Sequence, residues 1–159
     1  MSRTLLIALV LLLAAGPLHA ADADPAIAKQ LKDLEYEYEV DEDGDYKLLM
    51  SVGDTGRSQI VFIRSAVEAY GKQRIREIWS YAYKAPGDAL PSVVANRLLD
   101  ASNSLILGGW VKQSGAAVYV AKISASADLE ELNDAVAAAA STADEMELEL
   151  TADPASDDY

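Results

Sequence analysis

YEYEVDEDGDYKLLMSVGDTGRSQIVFIRSAVEAYGKQRIREIWSYAYK, residues 36–84, decides the fold. Apolar and aromatic residues alternate with polar ones over 36–40, 46–52, 59–69 and 74–84, the period of side chains on a pleated strand. Turn chemistry fills the intervals: Asp43-Gly44, Gly53-Asp54-Thr55-Gly56 and Gly71-Lys72. Asp-Gly between alternating runs signals a hairpin, because glycine takes the positive φ of a tight turn without steric cost. The segment therefore reads as an antiparallel meander. Tyr46, Leu48, Met50 and Val52 fall on one face, and an irregularity is predicted near Arg64.

Outward from this meander the period changes. Residues 25–35 read as a helix, with Pro25 in its first turn and Ile27, Leu31 and Leu34 on one stripe. Pro86, Gly87 and Asp88 stop the fourth strand, and Asp88 is expected to cap a helix over 89–104 that carries Leu90, Val94, Leu98 and Ala101 on one side. Residues 107–111 lead into a hairpin through Ser114-Gly115, whose return strand is 117–124. Ser126 is expected to cap the last helix, 127–150. There Leu129, Leu132, Val136, Ala139, Ala143, Met146 and Leu150 recur at spacings of three and four, enough to cover a sheet or to form a homodimer seam. The fold class is α+β, an antiparallel sheet covered by helices in the order α-β-β-β-β-α-β-β-α. No internal repeat or linker divides 21–151, which reads as one domain, and 152–159 (ADPASDDY) reads as an acidic, solvated tail.

The first twenty residues have a different logic. Arg3 supplies positive charge, residues 5–15 (LLIALVLLLAA) are an unbroken apolar run, and Gly16-Pro17 precede Leu18-His19-Ala20. This is the pattern of a Sec-type signal peptide cleaved after Ala20, and it predicts a periplasmic or secreted protein. Eleven apolar residues fall short of the roughly 20 a membrane-spanning helix needs, so no stable membrane insertion is expected after cleavage.

Composition limits the chemistry. The chain has no cysteine, and its one histidine, His19, lies in the segment expected to be removed. The remainder has neither thiol nor imidazole, which removes the cysteine nucleophiles, the commonest zinc ligands and the usual proton shuttle near neutral pH. The formal net charge is −13. Residues 21–56 carry 11 acids and 3 bases, whereas 57–84 carry six bases against Glu68 and Glu77, and 123–159 carry 11 acids and no base. Such a field repels nucleic acid and anionic lipid.

Four patterns could carry function. Asp54-Thr55-Gly56 spells the aspartic-protease triplet, but that chemistry needs two facing loops sharing a proton, and a glycine-rich turn explains the residues better. Asp41, Asp43 and Asp45 resemble the start of a calcium loop, yet Tyr46 stands where glycine is required and Val52 where glutamate is required. Carboxylate pairs suited to hydrolysis can be picked anywhere in so acidic a chain and single out nothing. Trp79, Tyr81 and Tyr83 alternate along one strand and so share a face, which Trp110 could join. An aromatic stripe of this kind serves either partner binding or packing beneath a helix.

Residues 34–84 and 96–140 together resemble the YbjN family. The resemblance is carried by Val40-Asp41-Glu42-Asp43-Gly44-Asp45, by Ile75-Arg76-Glu77-Ile78-Trp79-Ser80, by Gly108-Gly109-Trp110, and by a strand ending in small residues before an acidic-capped helix. It implies a fold similar to type III secretion chaperones and a role in bacterial sensory transduction regulation, with no catalytic residues to carry over. Many members of the family are cytoplasmic, and the signal segment here departs from that.

The functional expectation is an exported, non-enzymatic protein-interaction module without cofactor or metal. Its partner would be another protein, engaged through an extended segment, with a homodimer as a further arrangement. Trp79, Tyr81, Tyr83 and Trp110 would be the anchors and Arg64, Arg74 and Arg76 the polar rim. The alternatives are a small-ligand sensor with a pocket between helices and sheet, and a carboxylate-based hydrolase.

Overall fold

A computed structural model describes residues 22–54, 56–151 and 157–159. The expected signal segment and cleavage point lie outside the described residues, as does Thr55. The elements follow the expected order: α1 (Pro25–Asp33), β1 (Glu39–Val40), β2 (Tyr46–Val52), β3 (Arg57–Tyr70), β4 (Gln73–Lys84), α2 (Ser92–Ser102), β5 (Gly109–Gln113), β6 (Ala116–Ser124) and α3 (Leu129–Thr151). The strands make one antiparallel sheet in the order β1-β2-β3-β4-β6-β5. Among the described residues the protein is thus α+β, with three helices on a six-stranded open sheet. No described helix is long and apolar enough to cross a membrane.

All three helices contribute to one core on one face of this sheet. Ile27 and Leu31 of α1, Val94 and Leu98 of α2, and the stripe of α3 meet Tyr46, Leu48, Val61, Ile63, Ile78 and Tyr119 from the strands. Alanines set the spacing: Ala135, Ala139 and Ala143 are wholly buried, so α3 lies close to the sheet while Leu132, Val136 and Met146 fill the space beside them. Apart from the exposed Leu129, the apolar stripe of the last helix packs on this chain's own sheet.

Local chemistry explains most boundaries. In the first hairpin Asp41 Oδ1 accepts the backbone N–H of Asp43 at 3.0 Å and of Asp45 at 2.9 Å, with Gly44 at φ +80°. The irregularity near Arg64 is a shift of register between Ile63 and Val67. Elsewhere the structure corrects the expectations. Of residues 36–40 only Glu39–Val40 pair as a strand, opposite Lys47 and Tyr46 of β2. Asp88 does not cap α2, which starts after Pro91 without a side-chain cap. Ser126 does not cap α3 either. Asp128 accepts the Glu131 N–H at 2.9 Å while the Glu131 carboxylate accepts the Asp128 N–H at 3.0 Å, a reciprocal capping box that displaces the serine by two positions.

Gly108 is confined by its surroundings. It has φ +79°, and a Cβ there would lie 2.0 Å from the Val120 carbonyl oxygen, whereas Gly71 has φ +59° in open space. Gly108→Ala is therefore expected to lose about 1–3 kcal/mol more stability in urea denaturation than Gly71→Ala, the excess being the overpacking cost beyond backbone strain. Equal losses would show that the strand is free to move away.

Candidate functional site

The sheet face opposite the helices is the candidate site. On this face Leu49, Ile60, Phe62, Trp79 and Tyr81 alternate with residues that point into the core. Ala116, Val118 and Val120 form a separate buried cluster with Trp79 and Tyr81, and no helix residue takes part in it. These strands are apolar on both sides, yet among the described residues only one side has helices.

The aromatic residues are ordered by specific contacts. Phe62 stands directly opposite Trp79 across the β3–β4 ladder. The Trp79 indole N–H donates to Glu77 at 2.9 Å, and the Arg64 guanidinium lies 4.3 Å over its ring while pairing with Asp45 at 2.6 Å. Phe62 meets Tyr81 edge-on at 6.0 Å, and Tyr81 stacks on Tyr159 at 6.4 Å. Beside β1 an open groove of about 660 Å³ is lined by Glu37, Tyr38, Glu39, Lys47, Leu49 and Ile60. Tyr38 is braced edge-on by Tyr46 at 5.1 Å, and Leu49 is 70% exposed. An exposed leucine among ordered aromatic rings is a surface suited to apolar side chains.

The residues expected to act together are divided by the fold. Trp79 and Tyr81 share the open face. Tyr83 does not, because the β4–β6 register shifts between Tyr81 and Tyr83 and sets Tyr83 opposite Ala117, a core residue. Trp110 is also on the helix side, 8% exposed and edge-on to Tyr119 at 5.7 Å. Arg64 lies beside the open face over the Trp79 ring, and Arg74 is exposed with its carbonyl accepting the Ala125 N–H. Arg76 is not a rim residue. It is 2% exposed, pairs with Asp24 and donates to the carbonyls of Arg64 at 2.5 Å and Ser65 at 3.1 Å.

Arg76 positions the site from below. Its fork fixes the irregular stretch of β3, from which Arg64 reaches Trp79. Asp24, the side-chain N-cap of α1, joins the same network through its N–H to Ser65 Oγ at 3.1 Å, and Asp45 accepts the Ser65 N–H at 2.7 Å. Burial pushes the Asp45 carboxyl above the usual carboxylate range, against the pull of the Ser65 N–H and Arg64. Asp41 and Asp45 are thus engaged in the hairpin and its support rather than converging on an ion, and Asp54 and Gly56 belong to the turn between β2 and β3.

A second ionic cluster closes the opposite end of β3. Arg57 lies 2.7 Å from Asp144 and 3.3 Å from Glu147, and Glu147 is fully buried. The carboxylates of Asp144, Glu147 and Asp157 lie within 4.8 Å of one another, an arrangement that could hold a metal ion; here the Arg57 guanidinium reaches two of them. The hydrogen bond to Asp144 raises the Arg57 pKa, while burial pushes Glu147 up despite the Asp158 N–H and Arg57. Segment 157–159 belongs to this end. Asp157 accepts the Ser58 N–H and hydroxyl, each at 3.1 Å, and the Asp158 N–H donates to Glu147 at 2.8 Å. The expected acidic tail therefore includes three residues held against the fold, Asp157 at β3, Asp158 at α3 and Tyr159 at β4, while 152–156 lie outside the described residues. Leu49, Ile60, Phe62, Tyr38 and this segment are the parts of the site that sequence reasoning missed. The signal available for Ile60 and Phe62 was a strand apolar at consecutive positions, QIVFI.

Removing the cation by Arg57→Ala leaves two buried carboxylates unpaired and is expected to cost about 3–5 kcal/mol in urea denaturation. Glu147→Gln keeps an acceptor for Asp158 and leaves the Arg57–Asp144 pair intact, so its cost is expected to be far smaller. The folded state holds a proton on Glu147 more readily than the unfolded chain does. That contribution to stability is complete below the unfolded value and is lost as pH rises through the raised folded value. Relative to Glu147→Gln, the wild type should therefore gain stability as pH falls through the raised folded value toward the ordinary carboxylate range. A pH-independent difference between the two would contradict this. No protein-family model matches the chain, and no curated protein matches it.

Proposed function

We propose that this chain is an exported, non-enzymatic interaction module of the YbjN type, with a fold similar to type III secretion chaperones. It acts by holding an extended segment of another protein against the open sheet face. One observation carries the reading: a face built of Leu49, Ile60, Phe62, Trp79 and Tyr81 has no helix over it among the described residues. Uncovered apolar surface of this kind costs free energy in water and is recovered when a partner covers it. The groove beside β1 would take an apolar side chain, and Arg64, Lys47 and Lys122 supply charge around the rim.

Export is supported by the signal-like first twenty residues, and regulation rather than turnover by a chain with no cysteine and no histidine beyond His19 of that segment. A small-ligand sensor is the second reading. The groove's volume of about 660 Å³ lies in the range of ligand pockets, roughly 300–1,000 Å³. Its openness to solvent suits a side chain of a docked polypeptide better than a free small molecule.

Photo-crosslinking tests the assignment. A photoreactive amino acid placed at Leu49, 70% exposed on the open face, is expected to form a covalent adduct with another polypeptide in the exporting cell. The same group at Val93, 76% exposed on α2, is expected to form none. Equal capture from both positions, or capture from Val93 alone, would remove the open face from its role.

A further inference from the structure

Between β3 and β4 the sheet contains a notch. The two strands pair from Val61 opposite Ser80 onward, while β4 continues along β6 as far as Lys84. Below Val61 side chains replace the ladder: the Ser80 hydroxyl donates to the Ile60 carbonyl at 2.8 Å, and Gln59 Nε2 donates to the Tyr81 carbonyl at 2.7 Å. One position further, no strand among the described residues lies on that side to receive the Ser58 backbone N–H. It donates to the Asp157 carboxylate at 3.1 Å, and so does the Ser58 hydroxyl. Asp158 then donates its N–H to Glu147, and Tyr159 stacks on Tyr81. Segment 157–159 passes over the end of the sheet, from the helix-covered side at Glu147 to the open face at Tyr81.

Resting on the reading of the open face as a docking surface, we infer that segment 157–159 is a built-in occupant of that surface. The partner's segment has the same chemistry: an extended stretch with a carboxylate two residues before an aromatic ring. Three kinds of contact define the fit. A carboxylate is needed to receive both donors of Ser58, a backbone N–H to reach the buried Glu147, and a planar ring to continue the row from Phe62 through Tyr81. Asp157 and Asp158 are exposed, so an incoming segment can replace these contacts one at a time without opening the core. The face is then held partly closed until a segment of matching chemistry competes for it.

Fluorescence anisotropy with a labelled ADPASDDY peptide, the sequence of residues 152–159, tests this on the full-length chain. Asp157→Asn combined with Tyr159→Ala vacates the notch, and this variant is expected to bind the peptide at least tenfold more tightly than the wild type. Adding Tyr81→Ala should lose that gain, and a peptide with Asn and Ala at the two matching positions should not bind. Exchange of the Ser58 amide, followed by NMR, supplies a second readout that does not depend on Tyr81. It should quicken in the vacated variant and slow again on adding peptide. Equal peptide affinity for wild type and vacated variant overturns the inference, as does unchanged Ser58 exchange. Dimerisation of the wild type through exchanged 157–159 segments, seen as a doubled solution mass lost in the vacated variant, also overturns it by making the occupant a second copy. Crosslinking from Leu49 with no peptide effect would sink this inference and leave the proposed function standing; a peptide effect with no crosslink at Leu49 would do the reverse.

Discussion

Among the described residues three helices cover one face of a six-stranded sheet, and the strands beneath them are apolar on both sides. Everything about this protein's surface follows from that mismatch. A central strand of an antiparallel sheet with one wet face normally alternates apolar with polar residues. Here β3 and β4 place Ile60, Phe62, Trp79 and Tyr81 on the side the helices leave alone. The chain limits the cost locally. Trp79 and Tyr81 roof over Val118 and Val120, and Arg64 lies across the Trp79 ring, so little of the underlying valine surface meets water.

The two buried cations hold this surface in shape from the opposite side. Arg76 fixes the irregular part of β3 by its backbone carbonyls and ties it to Asp24 at the start of α1. Arg57 anchors the other end of β3 to α3 through Asp144 and Glu147. Neither pair is a strong source of net stability, because desolvating the charges offsets much of their attraction. Their value is geometric. A buried guanidinium tolerates few arrangements of its acceptors, so β3 is held at both ends and its open-face side chains are placed relative to β4.

Much of the fold is legible along the chain, because it rests on interactions between residues close in sequence. The Asp43-Gly44 turn, the period-two runs, the breaker at Pro86 and Gly87 and the three-four spacing of the last helix are local facts, and the strand and helix order follows from them. Cap positions are less legible. Ser126 and Asp128 both have capping chemistry, and the choice between them depended on which one could close a reciprocal pair with Glu131. The candidate site divides in the same way. Trp79 and Tyr81 share one face by simple alternation, whereas a register shift one residue later turns Tyr83 to the core.

Sequence by itself determined the α+β class, the antiparallel meander, the acidic charge field and the absence of thiol from the chain, since each depends only on composition or on neighbours within a few positions. Tertiary structure alone decided which arginines are buried, which aromatic residues are uncovered and where segment 157–159 lies. Arg64 and Arg76 look alike in sequence; one rests on an indole at the rim and the other is sealed beneath the sheet, because the irregularity in β3 leaves carbonyls that only an interior guanidinium can satisfy. Contacts such as Ser58 with Asp157 join residues far apart in the chain, and no local pattern encodes a partner that only folding brings within reach.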